Sequence, residues 1–492
     1  MIRNLKNRSN QPNGPLASVA WKFSERILAQ GVSLIVSIVL ARLLMPDEYG
    51  LIALVLVFIN IVNVLVTNGL GLSLIQKKNS DDIDFSTVFY LSLFIGIVLF
   101  FLVFAAAPYL AKFYENDLLC PIVRVLGIKI ILASVNSIQQ AYISKYFLFQ
   151  KFFFATLFGT LVSGIVGISM AYSGFGVWSL VAQYLVNSLI GTIVLFITLP
   201  WRPKLAFSMN KGKVLFSYAW KLMISGFINT TFGQLKNLII GKIYSKADLA
   251  FYEKGNYFPQ IIISNLNSAV SDVVFPFMAK KGDKAYEIKC FAKKSLRNIS
   301  YIVTPCMIGL ILIAKNLITV LLTNKWINSV PYLQIMCIYW LMQPMQTINW
   351  QILKAIGRSD LCLKLEIIKK GISLVILFMV MNISINAIII TSVALAVVSS
   401  IINAIPVKKL ISYSIKEQII DIMPSFYLSL GMAVVVYSVT FLNLSAFISL
   451  IIQCIVGVVV YLLLSALTQN QEYLFLKVKI RLILTVFKSF RV

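Results

Sequence analysis

"ARLLMPDEYG", residues 41–50, is a short polar break between two strongly apolar runs, "VSLIVSIVL" at 32–40 and "LIALVLVF" at 51–58. Crossing a bilayer takes about 20 mostly apolar residues, and a break this brief is a turn rather than a domain. Pro46 has no amide hydrogen to lose at a helix start. Asp47 and Glu48 supply the charge that holds the turn in water, and Gly50 lets the chain re-enter the next apolar run. The stretch therefore predicts a tight hairpin between two membrane-spanning helices.

Composition extends that reading to the whole chain. Of 492 residues, 59% are hydrophobic and only 13% are charged, with mean hydropathy +0.86, against roughly 25% charged residues in soluble domains. Apolar windows lie near 24–44, 50–75, 87–111, 122–144, 152–172 and 177–199, and then near 222–243, 255–279, 298–322, 331–353, 361–381, 384–405, 422–442 and 446–467. The expected fold class is an all-α polytopic membrane protein of about 14 transmembrane helices.

The net charge of +26 raises nucleic acid as a partner, so the position of the bases decides its meaning. With the N-terminus in the cytoplasm, most Lys and Arg fall in alternate loops: Lys77-Lys78, Arg202 to Lys221, Lys280 to Arg297, Lys354 to Lys364, Lys408-Lys409 and the tail from Lys477 to Arg491. That is the positive-inside pattern of a membrane protein, with both termini cytoplasmic and no role for nucleic acid. No cleavage pattern precedes the first span, which is expected to be its own insertion signal. The six cysteines are scattered without a CxxC pair and read as apolar core thiols.

The chain also repeats itself. Ala20-Trp21-Lys22 returns as Ala219-Trp220-Lys221, residues 41–50 align with "GKIYSKADLA" at 241–250, and Lys77-Lys78 returns as Lys280-Lys281. Three matches in order at nearly one offset predict two pseudo-twofold six-helix bundles, the arrangement alternating-access transporters use. The expected organisation is a cytoplasmic segment 1–20, a bundle 21–200, a cytoplasmic linker 201–221, a second bundle 222–411, two C-terminal helices within 412–468, and a basic tail 469–492.

"LARLLMPDEYGLIALVLVF", "GLGLSLIQKK", "VWSLVAQYLVNSLIG", "VLLTNKWINSVPYLQIM" and "ILKAIGRSDLCLKLEIIKK" resemble segments of bacterial polysaccharide biosynthesis proteins. These are the Wzx-type flippases of lipid-linked O-antigen, capsule or exopolysaccharide units, in the multidrug/oligosaccharidyl-lipid/polysaccharide exporter superfamily. The colanic-acid-type exporters are the subgroup most similar. The resemblance covers residues 20 to about 370; beyond that only hydropathy matches. It implies an undecaprenyl-diphosphate-linked oligosaccharide as substrate, basic residues lining a central cavity, and the inner membrane as location. Further implied partners are membrane lipids, a polysaccharide polymerase and a chain-length regulator, with the chain itself a monomer.

Residues inside the spans suggest where a substrate would be met. Arg26, Lys129 and Lys236 lie within predicted spans, where an uncompensated cation costs several kcal/mol, so each is expected to face a watery cavity or to snorkel to the headgroups. A cationic cavity suits a diphosphate. Asn60 and Asn63 in the second span, and Thr230, Gln234 and Asn237 in the seventh, recur at helical spacing on one face, and Asn267, Gln346 and Asn349 add amides in later spans. Such stripes serve sugar hydroxyls or bind helix to helix.

Energy coupling leaves little trace. No Walker motif is present, so ATP hydrolysis is not expected, and no cofactor is called for. With no histidine in the chain, coupling to H⁺ or Na⁺ would fall to carboxylates, Asp272 and Glu25 first among them. The expected function is a flippase and not an enzyme. A multidrug exporter of the same superfamily is the alternative, and a membrane polymerase the more remote one, since no outer loop is long and no carboxylate cluster appears.

Overall fold

The computed structural model describes residues 15–77, 80–279, 284–442, 444–474 and 477; side chains at 15–27, 268–273, 275, 276, 279 and 359 also lie outside the described residues. Every regular element among the described residues is helical. The first unit of the fold contains α1 (Pro15–Leu43), α2 (Pro46–Thr67), α3 (Leu70–Gln76), α4 (Asp82–Phe113), α5 (Leu119–Tyr146), α6 (Phe149–Tyr172), α7 (Val177–Thr198) and α8 (Met209–Ile243). Helix α9 (Lys246–Ala279) starts in this unit and runs on into the second. There follow α10 (Ala285–Leu321), α11 (Ser329–Leu341), α12 (Gln343–Ala355), α13 (Ser359–Val380), α14 (Ile385–Ile411), α15 (Ile415–Ser438) and α16 (Ala446–Leu467).

Nine helical stretches among the described residues are long and apolar enough to cross a membrane. The remaining predicted windows also coincide with helices, of which α8 holds Lys221, Lys236 and Lys242 along its length. Two windows are broken. The window 50–75 turns at Gly69, whose φ of +125° is one a side chain would disfavour, and α3 then takes a new course. The window 331–353 divides after Leu341, because Pro344 in the first turn of α12 has no N–H to continue the ladder.

Contacts divide the chain into two compact units, Met1–Ala250 and Phe251–Val492. Helix α8 begins at Met209, inside the basic stretch 201–221, and packs on α2, α3 and α4 of the first unit. That unit's core gathers Phe85, Phe89 and Trp201, with the Phe85 and Trp201 rings 5.7 Å apart, so the segment after α7 is anchored by an aromatic plug. In the second unit Tyr461 donates from its hydroxyl to the Tyr301 carbonyl at 2.8 Å, tying α16 to α10. Trp326 is fully enclosed there.

The opening stretch forms the predicted hairpin. Helix α1 ends at Leu43 and α2 starts at Pro46, with Glu48 accepting from the Met45 N–H at 2.8 Å. That carboxylate sits where the helix dipole and an otherwise unpaired amide both favour it.

Candidate functional site

Within the first unit, α5, α6 and α7 line an open-sided cavity of about 330 Å³ that Thr67 of α2 also borders. Small residues on α6 let α7 come close: a Cβ on Gly159 would stand 3.1 Å from the Asn187 carbonyl. Besides Thr67, the cavity's polar lining is Asn136, Ser137 and Gln140 on α5, Thr156 on α6, and Asn187, Ser188 and Thr192 on α7. Gln140 donates to Asn136 at 2.5 Å, Asn136 to the Thr192 hydroxyl at 3.4 Å, and Asn187 to the Ser163 hydroxyl at 3.2 Å. None of the residues lining the cavity is charged.

The residues singled out from the sequence are dispersed. Asn60 is exposed on α2, and the amide oxygen of Asn63 one turn on is enclosed without a hydrogen-bond partner among the described residues. On α8, Asn237 donates to Gln234 at 3.0 Å, with Thr230 and Lys236 half-buried on the same helix. Neither Asn60 nor Asn63 bonds to that set among the described residues. Lys129 on α5 is half-buried and its Nζ lies 5.2 Å from the Tyr184 ring of α7, a cation–π contact that lessens the cost of the charge in an apolar setting.

In the second unit the amides bind helix to helix. Asn267 accepts from the Thr347 hydroxyl at 3.0 Å, and Gln346 donates to the Ala396 carbonyl at 3.0 Å. Asn349, fully enclosed, donates to Gln418 at 2.9 Å. In this conformation these amides serve packing. Arg26 and Glu25 on α1 and Asp272 on α9 have side chains outside the described residues.

Several residues were not anticipated. Asn136 and Gln140 have the i, i+4 spacing that marked the other stripes, and Asn187 lies inside a quoted signature segment, yet only the packing of α5 on α7 shows that they meet. Lys254 on α9 is 8% exposed, its Nζ 5.7 Å from the rings of both Tyr257 and Trp326. Two acids are also enclosed, each 1–2% exposed: Asp84, held by Lys77 at 2.7 Å, and Asp421, held by Arg297 at 2.7 Å and by the Tyr413 hydroxyl at 2.8 Å. Beside Asp84, Lys211 lies 2.5 Å from Asp81 and, with the Asp84 N–H, holds that carboxyl down at about 2. Among the described residues no group of His, Cys, Asp or Glu is placed to hold a metal ion.

This helical fold is shared with a solved structure, "Lipid II flippase MurJ, inward closed conformation": superposition gives a TM-score of 0.72 at 16% identity over 92% of this chain and 98% of that one. The chain belongs to the polysaccharide biosynthesis protein family, whose model matches residues 39–331. The lipopolysaccharide biosynthesis protein WzxC of Escherichia coli is 24% identical over 86% of this chain and 87% of its own length. The teichuronic acid biosynthesis protein TuaB of Bacillus subtilis is 25% identical over 60% of this chain. The match spans 61% of that protein, less than two thirds of its length.

Proposed function

We propose that this chain is a flippase that carries undecaprenyl-diphosphate-linked polysaccharide repeat units from the inner to the outer leaflet of the cytoplasmic membrane by alternating access. The observation that carries the reading is the family match over residues 39–331 in a chain whose described residues include nine helices long and apolar enough to cross a membrane. The local repeat supports a two-bundle transporter of about 14 spans: α1 and α8 end at Leu43 and Ile243, and α2 and α9 start at Pro46 and Lys246, each pair 200 positions apart. The Lys and Arg distribution supports cytoplasmic termini. Substrate contacts are assigned to Arg26, Lys129 and Lys236 for the diphosphate, and to the amide stripes for the sugar. Arginine grips phosphate oxygens through parallel hydrogen bonds where lysine acts as a point charge. Asp272 and Glu25 remain the candidates for H⁺ or Na⁺ coupling.

The test is a deletion strain complemented by each variant at matched protein level. Wild type should restore surface polysaccharide and clear lipid-linked repeat units trapped on the cytoplasmic side. Arg26→Gln or Lys236→Gln should lower export, and the double variant should nearly abolish it. Trapped intermediates that persist with the wild-type gene would refute the flippase reading; full export by the double variant would refute the cationic contacts alone.

A further inference from the structure

We propose that the open-sided cavity lined by α5, α6 and α7 is a binding subsite for a single uncharged sugar ring, a reading that rests on the chain's proposed role as an exporter of sugar conjugates. The argument starts from cost. Polar side chains in a membrane-embedded bundle are expensive unless each finds a partner. The hydrogen bonds among Gln140, Asn136, Thr192, Asn187 and Ser163 leave the amide oxygens of Gln140 and Asn187 with no protein partner among the described residues. Both residues are exposed at the cavity. Something bearing hydroxyl groups, water or a ligand, completes them.

Size and charge narrow the ligand. About 330 Å³ lies at the lower end of the ~300–1,000 Å³ typical of small-molecule sites, room for one sugar ring and not for a repeat unit. With no lysine or arginine in the lining, nothing there offsets a diphosphate or a uronate. Amides and hydroxyls, by contrast, donate to and accept from the ring hydroxyls of a neutral hexose. Phe152, Leu132 and Leu195 supply apolar surface for its C–H face.

Gly191 makes the idea testable without disturbing the polar chain, because a Cβ there meets only the Ala155 carbonyl at 3.9 Å. Gly191→Leu would fill the space, and Asn187→Leu would remove an amide. Saturation-transfer NMR on the purified full chain, with methyl glycosides of glucose, galactose and mannose and with methyl glucuronide as probes, should show transfer to at least one neutral glycoside and none to the glucuronide. Either variant should weaken that binding at least tenfold. No transfer to any neutral glycoside, or binding unchanged in Gly191→Leu, overturns the subsite. Surface polysaccharide in the complemented deletion strain separates the two readings. If wild type exports and Gly191→Leu exports equally well, the subsite falls while the flippase stands; if wild type fails to restore export, the flippase reading falls on its own account.

Discussion

The turn at residues 41–50 and the turn at 241–250 have the same length and solve the same problem with different chemistry. In the first, Pro46 opens the helix and Glu48 reaches back to the Met45 amide. In the second, Asp248 accepts from the Ser245 hydroxyl at 2.7 Å while the Asp248 amide donates to the Ser245 oxygen at 3.0 Å, a reciprocal cap without proline. The two turns also lean on each other's helices: a Cβ on Gly50 would run into the Lys246 carbonyl, and one on Gly241 into the Leu54 side chain. The lesson is that a repeated shape persists through the position of helix ends, while the residues that hold each end differ.

The sharpest way to break this comparison is at the glycines. Gly50→Ala meets backbone, which cannot rotate away, and should cost about 2–3 kcal/mol through displaced helices. Gly241→Ala meets the Leu54 side chain, which can shift where backbone cannot, and the ~1 kcal/mol gained by replacing a helical glycine should leave its loss well below that of Gly50→Ala. Thermal unfolding midpoints of the purified proteins would decide, and equal losses would mean the two contacts are not of different kinds.

The caps come next in size. Asp248→Ala removes the carboxylate that accepts from Ser245, leaving only the backbone half of the cap, and should cost about 1 kcal/mol. Glu48→Ala should cost about half that, because Pro46 already presets the first turn. The same unfolding measurement ranks them, and a larger loss at Glu48 would reverse the proposed division of labour.

The smallest effect concerns how α8, which ends in the second turn, is tied at its start. Asp81 is held at about 2 by Lys211, against an ordinary 3.8. A carboxyl lowered on folding stabilises above its unfolded value and loses that contribution as pH falls through the folded one, so the Asp81–Lys211 tie should weaken between about pH 4 and pH 2. Both side chains are partly in solvent, at 55% and 32% exposure, so screening keeps the contribution small. Lys211→Met should flatten the difference between unfolding midpoints at pH 5 and pH 2.5; an unaltered slope would assign the acid sensitivity to other groups.

Much of the architecture was legible because it follows from period and transfer energy. Long apolar runs with short polar breaks satisfy their backbone within the bilayer as helices, and the predicted windows fall on helical segments, two of them divided. The two broken windows were less legible, since a run containing Gly69 or Pro344 keeps its hydropathy while the helix is interrupted. Of the candidate site, single-helix stripes such as Gln234 with Asn237 could be read from spacing.

By itself, then, the sequence determined that this is a helical membrane protein with a repeated turn at a 200-residue offset, because hydrophobicity and helix-end chemistry are local properties of the chain. Only the tertiary structure decided what each polar side chain meets. It sent Gln346 and Asn349 to Ala396 and Gln418 on neighbouring helices, and it brought Asn136 of α5 to Thr192 of α7 beside an uncharged cavity. The physical reason is that the same amide costs the same in any helix, and its role is set by whichever helix packs beside it.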